Sequence, residues 1–259
     1  MSRITKAFEN RKAFIAFITG GDPDIETTEK LVPAMAEAGA DLIEIGIPFS
    51  DPVAEGIVIQ EADQRALQGG CTTDKLFEMV TRIRQKTDIP LLFMTYLNPI
   101  YTYGKEKFLI RCAECGIEGI IVPDMPFEEK DELADVCELH GVDLISMIAP
   151  TSEERITLIA KEAKGFIYCV SSLGVTGVRS EFTTDISKMV KMVREVTDVP
   201  CAIGFGISTP EQAGSMAKLS DGVIVGSAIV KLVAKFGKDS IESVSDYVRS
   251  LKKGIDDAI

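Results

Sequence analysis

The sequence predicts an α/β chain folded as one closed (β/α)8 barrel over residues 1–259, with extra helices at the N-terminus and after the eighth strand. Three observations predict it. Apolar runs alternate with amphipathic stretches at roughly one pair per 25–30 residues. The runs are short, β-rich and apolar on both faces, as strands of a buried parallel sheet should be. No linker or break in composition interrupts the 259 residues, and barrels of this class use about 250 residues as one domain.

The elements follow in order. Strand Ala13–Thr19 leads to a helix over Ile25–Ala38, whose apolar face carries Leu31, Val32, Met35 and Ala36. Strand Asp41–Ile47 is followed by a long loop, Pro48–Gln60, and by a helix over Thr73–Thr87 that repeats Leu76, Met79, Val80 and Ile83. Strand Pro90–Thr95 precedes helix Lys105–Cys115, strand Gly119–Val122 precedes Glu128–Leu139, and strand Val142–Ile148 precedes Glu153–Ala163. Strand Phe166–Ser171 runs into a second long loop, Ser172–Thr183, and helix Thr184–Val196. Strand Pro200–Gly204 precedes helix Pro210–Lys218, and strand Gly222–Val225 precedes the closing helices Ala228–Phe236 and Ser240–Lys253. Cap signals mark several helix starts: Thr73-Asp74, Thr151-Ser152 with Glu154, and Ser208-Thr209-Pro210 with Glu211. An open doubly wound sheet is the competing architecture. It usually carries G-x-G-x-x-G after its first strand, whereas this strand ends in Gly20-Gly21-Asp22-Pro23.

Composition narrows the function. The net charge of −12 repels nucleic-acid phosphates and anionic lipids, so neither is an expected partner. No apolar run approaches the ~18 residues of a membrane span, and Ser2 to Lys12 is polar and mixed in charge, unlike a signal peptide. A cytoplasmic location is expected, and the six cysteines lack the density of a disulfide scaffold. Cys112 and Cys115 form a C-x-x-C without a second ligand pair, so they read as helix residues rather than a zinc site. His140 is the only histidine, which removes most Ser-His-Asp, Cys-His and His-ligated metal mechanisms. Its place before Gly141 suits a helix end.

Carboxylates and glycines carry the remaining chemistry. Side chains alternate along a strand, so Ile43, Ile45 and Ile47 face the helices while Leu42, Glu44 and Gly46 face the barrel axis. An inward Glu44 is costly unless paired, and no strand interior offers a Lys or Arg to pair with it. Glu44 is therefore a candidate proton-transfer group, with its pKa expected to be raised by desolvation. The loop that follows adds Asp51 and Glu55, which on chemistry alone read equally well as solvated acids. Three glycine-rich segments end the late strands: Gly174 to Gly177, Gly204-Phe205-Gly206, and Gly226-Ser227-Ala228. Glycine admits close backbone approach, and helix N-termini bind anions, so these loops predict a phosphorylated substrate held by neutral N–H donors.

Over essentially its whole length the chain resembles the tryptophan synthase α subunit family, whose fold is the TIM barrel. The most specific segments are Glu44 to Gln60 (EIGIPFSDPVAEGIVIQ), Leu173 to Gly177 (LGVTG), Gly204 to Ala213 (GFGISTPEQA) and Val225 to Val230 (VGSAIV). The resemblance implies retro-aldol cleavage of indole-3-glycerol phosphate to indole and glyceraldehyde-3-phosphate, with no metal or organic cofactor in this chain. It implies that Glu44 is the acid–base group and that Glu55 accepts a hydrogen bond from the indole N–H. Phe17 and Tyr168 match residues lining the substrate site; Gly177, Phe205, Gly206, Gly226 and Ser227 match the phosphate region; Thr176 matches the lid-loop threonine. A pyridoxal-phosphate-dependent β subunit is the implied partner, in an αββα assembly that meets this chain at Asp51, Pro52 and Asn98. Two positions depart from the family pattern, which usually has Asp at Glu55 and Pro at Ile57. They keep a second reading open, a catalytically weak subunit that binds and activates β, alongside a sibling phosphate-binding barrel isomerase or synthase.

Overall fold

A computed structural model of the chain describes residues 3–150, 152–170, 183–204 and 206–259. Its strands are β1 (Ala13–Thr19), β2 (Leu42–Gly46), β3 (Leu91–Met94), β4 (Gly119–Ile121), β5 (Asp143–Leu144), β6 (Ser146–Ile148), β7 (Ile167–Val170), β8 (Cys201–Gly204) and β9 (Gly222–Val225). All pairings are parallel, in the order β5-β4-β3-β2-β1-β9-β8-β7-β6. The two ends of that order are consecutive pieces of the run expected as one strand, Val142–Ile148. Its first half bonds β4 and its second half bonds β7, with Ile145 between them. The ring closes through this divided segment, so the eight expected runs make a barrel wall.

The helices are α1 (Arg3–Lys6), α2 (Ile25–Glu37), α3 (Ile57–Gln68), α4 (Thr73–Ile83), α5 (Leu97–Tyr103), α6 (Lys105–Cys115), α7 (Asp131–His140), α8 (Glu153–Lys161), α9 (Thr183–Arg194), α10 (Pro210–Ala217), α11 (Ser227–Phe236) and α12 (Ser240–Asp256). The side chains of Thr72, Ser152 and Thr209 cap α4, α8 and α10, the last with a full capping box to Gln212. Two helices correct the sequence reading. The loop expected over Pro48–Gln60 ends at Gly56, where α3 begins. Its buried face is Ile59, Ala62, Asp63 and Ala66, a helical spacing hidden because small and charged residues occupy it. Helix α5 contains Pro99, which reads as a turn but sits harmlessly in a first turn, where N–H groups lack intrahelical partners.

The core has two shells, as strands buried on both faces require. Outward side chains such as Ile43, Ile45 and Phe93 pack under the helices, while inward ones such as Ile15, Leu42, Leu92, Ile121, Phe166 and Ile224 fill the barrel. The N-terminal helix plugs the bottom of that filling: Ile4 and Ala7 join the inner cluster, and the Phe8 ring lies 5.6 Å from Phe166. With the bottom sealed, the open end is the rim formed by the C-terminal ends of the strands. No described helix is long and apolar enough to cross a membrane.

Candidate active site

A cavity of about 700 Å³ opens at that rim. Its floor and walls come from β1, β3, β7 and β9 (Phe17, Met94, Tyr168, Ile224), and its lips from the segments after β2, β8 and β9. Glycines make the floor possible. A Cβ at Gly46 would stand 2.8 Å from the Phe17 ring, and one at Gly204 would stand 2.6 Å from the Tyr168 hydroxyl oxygen. Both aromatic rings lie over bare backbone.

Glu44 sits in register with Phe17 and Leu92 and points inward, as alternation requires. It is 0% exposed, and neither carboxylate oxygen has a hydrogen-bond partner among the described residues. Burial pushes its carboxyl up to about 8. The Glu44 charge in turn helps raise the Tyr168 phenol, after burial as the main cause, so the two groups are close. A neutral carboxylic acid at neutral pH is thus held beside two cavity-lining aromatics.

Glu55 lines the cavity on the facing lip, half-buried. The Tyr96 hydroxyl donates to its carboxylate and accepts a 2.8 Å hydrogen bond from the Ala54 N–H, while Gln60 donates to the Glu55 carbonyl at 2.8 Å. Burial raises the Glu55 carboxyl, and the Tyr96 hydrogen bond opposes the rise. Of the two readings left open for this acid, the structure places it in the cavity with its side chain held. Asp51 is exposed on the same segment, accepting from the Ser50 hydroxyl, with Pro52 half-buried beside it. Asn98 is exposed on α5 and accepts from the Thr102 hydroxyl at 3.1 Å. Val53, on the same segment as Asp51, and Ile57, at the start of α3, are 74% and 70% exposed and line the cavity mouth.

The candidate phosphate-binding segments, after β8 and β9, form the other lip of the cavity. Gly206 (φ +70°), Ser208, Gly226, Ser227 and Ala228 all line it. Gly226 precedes the first turn of α11, whose leading N–H groups have no intrahelical partner. Gln212 and Tyr247 tie the β8 lip: the Ser208 N–H donates to the Gln212 side-chain Oε1 and the Tyr247 hydroxyl donates to the Ser208 backbone carbonyl, both at 2.8 Å. Thr176, Gly177 and Phe205 lie outside the described residues.

Sequence reasoning missed four neighbours. Tyr96 and Tyr247 reach the site from a strand end and from α12, with no local motif to announce them. Lys231, one turn beyond Ser227 on α11, also lines the cavity and brings a cation to its rim. Asp63 is buried on α3, and burial, with the Glu55 charge adding, raises its carboxyl to about 8 against a hydrogen bond from the Phe49 backbone. Cys112 and Cys115 are buried in α6, and His140 ends α7 before a left-handed Gly141, as expected.

The family model described as tryptophan synthase alpha chain matches residues 4–259. The tryptophan synthase alpha chain of Lacticaseibacillus casei is 48% identical, with 99% of this chain and 96% of that protein covered. The corresponding chain of Thermoanaerobacter sp. strain X514 is 49% identical, with 98% and 99% covered. Among solved structures, the alpha subunit from Legionella pneumophila str. Paris superposes with a TM-score of 0.90 at 36% identity, covering 99% of each chain. A chain of Mycobacterium tuberculosis tryptophan synthase does so with 0.90 at 32%, covering 98% of each. The chain belongs to the tryptophan synthase alpha chain family.

Proposed function

We propose that the chain cleaves indole-3-glycerol phosphate to indole and glyceraldehyde-3-phosphate, with Glu44 and Glu55 as its working acids. The observation that carries this reading is the wholly buried, unpartnered Glu44 carboxyl beside a cavity whose rim includes the first turn of α11. In the reaction a proton is added to ring carbon C3, the bond from C3 to the side chain breaks, and the adjacent hydroxyl loses its proton as the aldehyde forms. Proton transfer at both ends suits a group whose pKa lies near the working pH, and burial brings Glu44 there. Glu55 accepts the ring N–H and offsets the positive charge that builds on the protonated ring. The phosphate rests on the backbone of Gly206, Gly226 and Ser227, with Phe205, Thr176 and Gly177 as further family-matched contacts and Lys231 at the edge. Phe17 and Tyr168 flank the ring.

The group chemistry of this half-reaction needs only side chains and backbone; pyridoxal phosphate belongs to the β subunit that consumes indole. Asp51, Pro52 and Asn98, with the exposed Val53 and Ile57, form the face we assign to that partner in a cytoplasmic αββα assembly. The pinned Glu55 favours the lyase over a weak activator, since Tyr96 fixes the longer acid rather than leaving it loose. Indole release is the test, measured for wild type, Glu44→Gln and Glu55→Asp with and without β. Glu44→Gln is expected to lose roughly 10²–10⁴-fold in turnover. A nearly inactive wild type that Glu55→Asp revives would overturn the lyase reading in favour of the activator.

A further inference from the structure

The fifth run is where the barrel wall differs from its neighbours. The runs it is bonded to carry larger apolar groups at their outward positions: Ile120 and Val122 on the fourth run, Ile167 and Cys169 on β7. On the fifth run the middle outward position is Ser146, half-buried and too small to fill the space beneath the helices. The flanking helices α7 and α8 are bridged at their edges by ion pairs, Lys130 with Glu162 and Lys164 with Glu138. Beneath those pairs lies a cavity of about 600 Å³, within the range of ligand pockets.

Three features define what this cavity fits. Its lining includes the apolar side chains of Phe127, Cys137, Leu144 and Ile159 besides the charged residues of the bridging pairs. Its cations are already engaged: Lys130 and Lys164 as above, and Arg155 with Glu128. A phosphorylated molecule would find no free positive charge there, which disfavours both the substrate and its three-carbon product. Half-buried Asp143, at the start of β5, supplies an acceptor for an N–H group.

The cavity is also next to the reaction site. Pro123 and Met147 line both cavities. The ladder between the fourth and fifth runs reaches Ile145, whose N–H donates to the Ile120 carbonyl at 2.9 Å, and β6 above it pairs with β7 rather than β4. The shared wall is therefore side chain and proline, not strand ladder, and methionine is the side chain most able to move aside.

We propose that the cavity between α7 and α8 is a second binding site for indole, the neutral N–H-bearing aromatic released in the adjoining cavity. The identity of the ligand rests on the proposed lyase reading; the site itself rests on the divided strand. Equilibrium dialysis of the full chain with radiolabelled indole tests it. Wild type is expected to bind two equivalents and Ser146→Phe, which fills the cavity from the barrel side, only one, the second class weakening at least tenfold. Ser146→Leu, a smaller filling, is expected to weaken the same class by less and guards against a folding failure of the larger variant. One equivalent in wild type, or two in every correctly folded variant, would overturn the proposal. Indole release from indole-3-glycerol phosphate, followed in parallel, separates the readings. A chain that released none yet bound indole at a Ser146→Phe-sensitive site would lose the lyase assignment and keep this one.

Discussion

Glu44 illustrates how a single residue links stability to chemistry. Its carboxyl titrates near 4.5 in an unfolded chain and at about 8 in the fold. Below pH 4.5 both states carry the proton, and burial costs little. Between 4.5 and 8 the unfolded state releases a proton that the folded state keeps, so this group's contribution to stability falls as pH rises. Glu44→Gln is neutral at every pH and nearly isosteric. It is expected to match wild type in urea denaturation below pH 4.5 and to exceed it by up to a few kcal/mol near pH 8. A constant difference across that range would mean that Glu44 is ionised in the fold. Tyr96 is the second test at this scale. Tyr96→Phe removes the hydroxyl that holds Glu55 and is expected to lower kcat for indole release about tenfold or more, with a smaller change in KM, through misplacement of the acid. The inward direction of Glu44 was legible because strand alternation is a local rule. The grip of Tyr96 on Glu55 was not, since 41 residues separate them and only the barrel's closure brings them together.

Helices and strands were legible wherever their periodicity used large apolar residues. Helix α4, with Leu76, Phe77, Met79, Val80 and Ile83 buried, announced itself; α3 did not, because Ala62, Asp63 and Ala66 carry its buried face. The division of the fifth run at Ile145 had no local signal, since the choice of partner strand belongs to the ring. Close packing between helices is similarly non-local. A Cβ at Gly254 on α12 would lie 2.5 Å from the Pro210 carbonyl oxygen, and one at Gly214 on α10 would lie 2.5 Å from the Gly254 carbonyl oxygen. Gly254→Ala gains helix propensity yet forces these backbones apart, so a net loss of about 1–3 kcal/mol is expected by chemical denaturation. A variant as stable as wild type would show that α12 can shift on α10 at no cost.

At the scale of the molecule, one end of the barrel is sealed and the other is open and chemically equipped. Ile4, Ala7 and Phe8 close the bottom, while the exposed Val53 and Ile57 sit on the open lip beside Asp51 and Pro52. Exposed apolar side chains on a functional rim mark an interaction surface better than they mark a defect. Val53→Glu is therefore expected to weaken binding of the β subunit at least tenfold by calorimetry, and an unchanged Kd would move the partner to another face.

The pairing of β1 with β9 has a consequence for how the chain is made. Strand β1 leaves the ribosome long before β9, to which it is hydrogen-bonded through Ala13–Ala16 against Gly222–Val225. Until the final third of the chain has been synthesised, the growing sheet has a bare edge at Ala13–Thr19, an apolar run of the kind that recruits foreign strands. Nascent chains stalled before Gly222 are thus the form of this molecule most exposed to aggregation, and the one with most need of a chaperone.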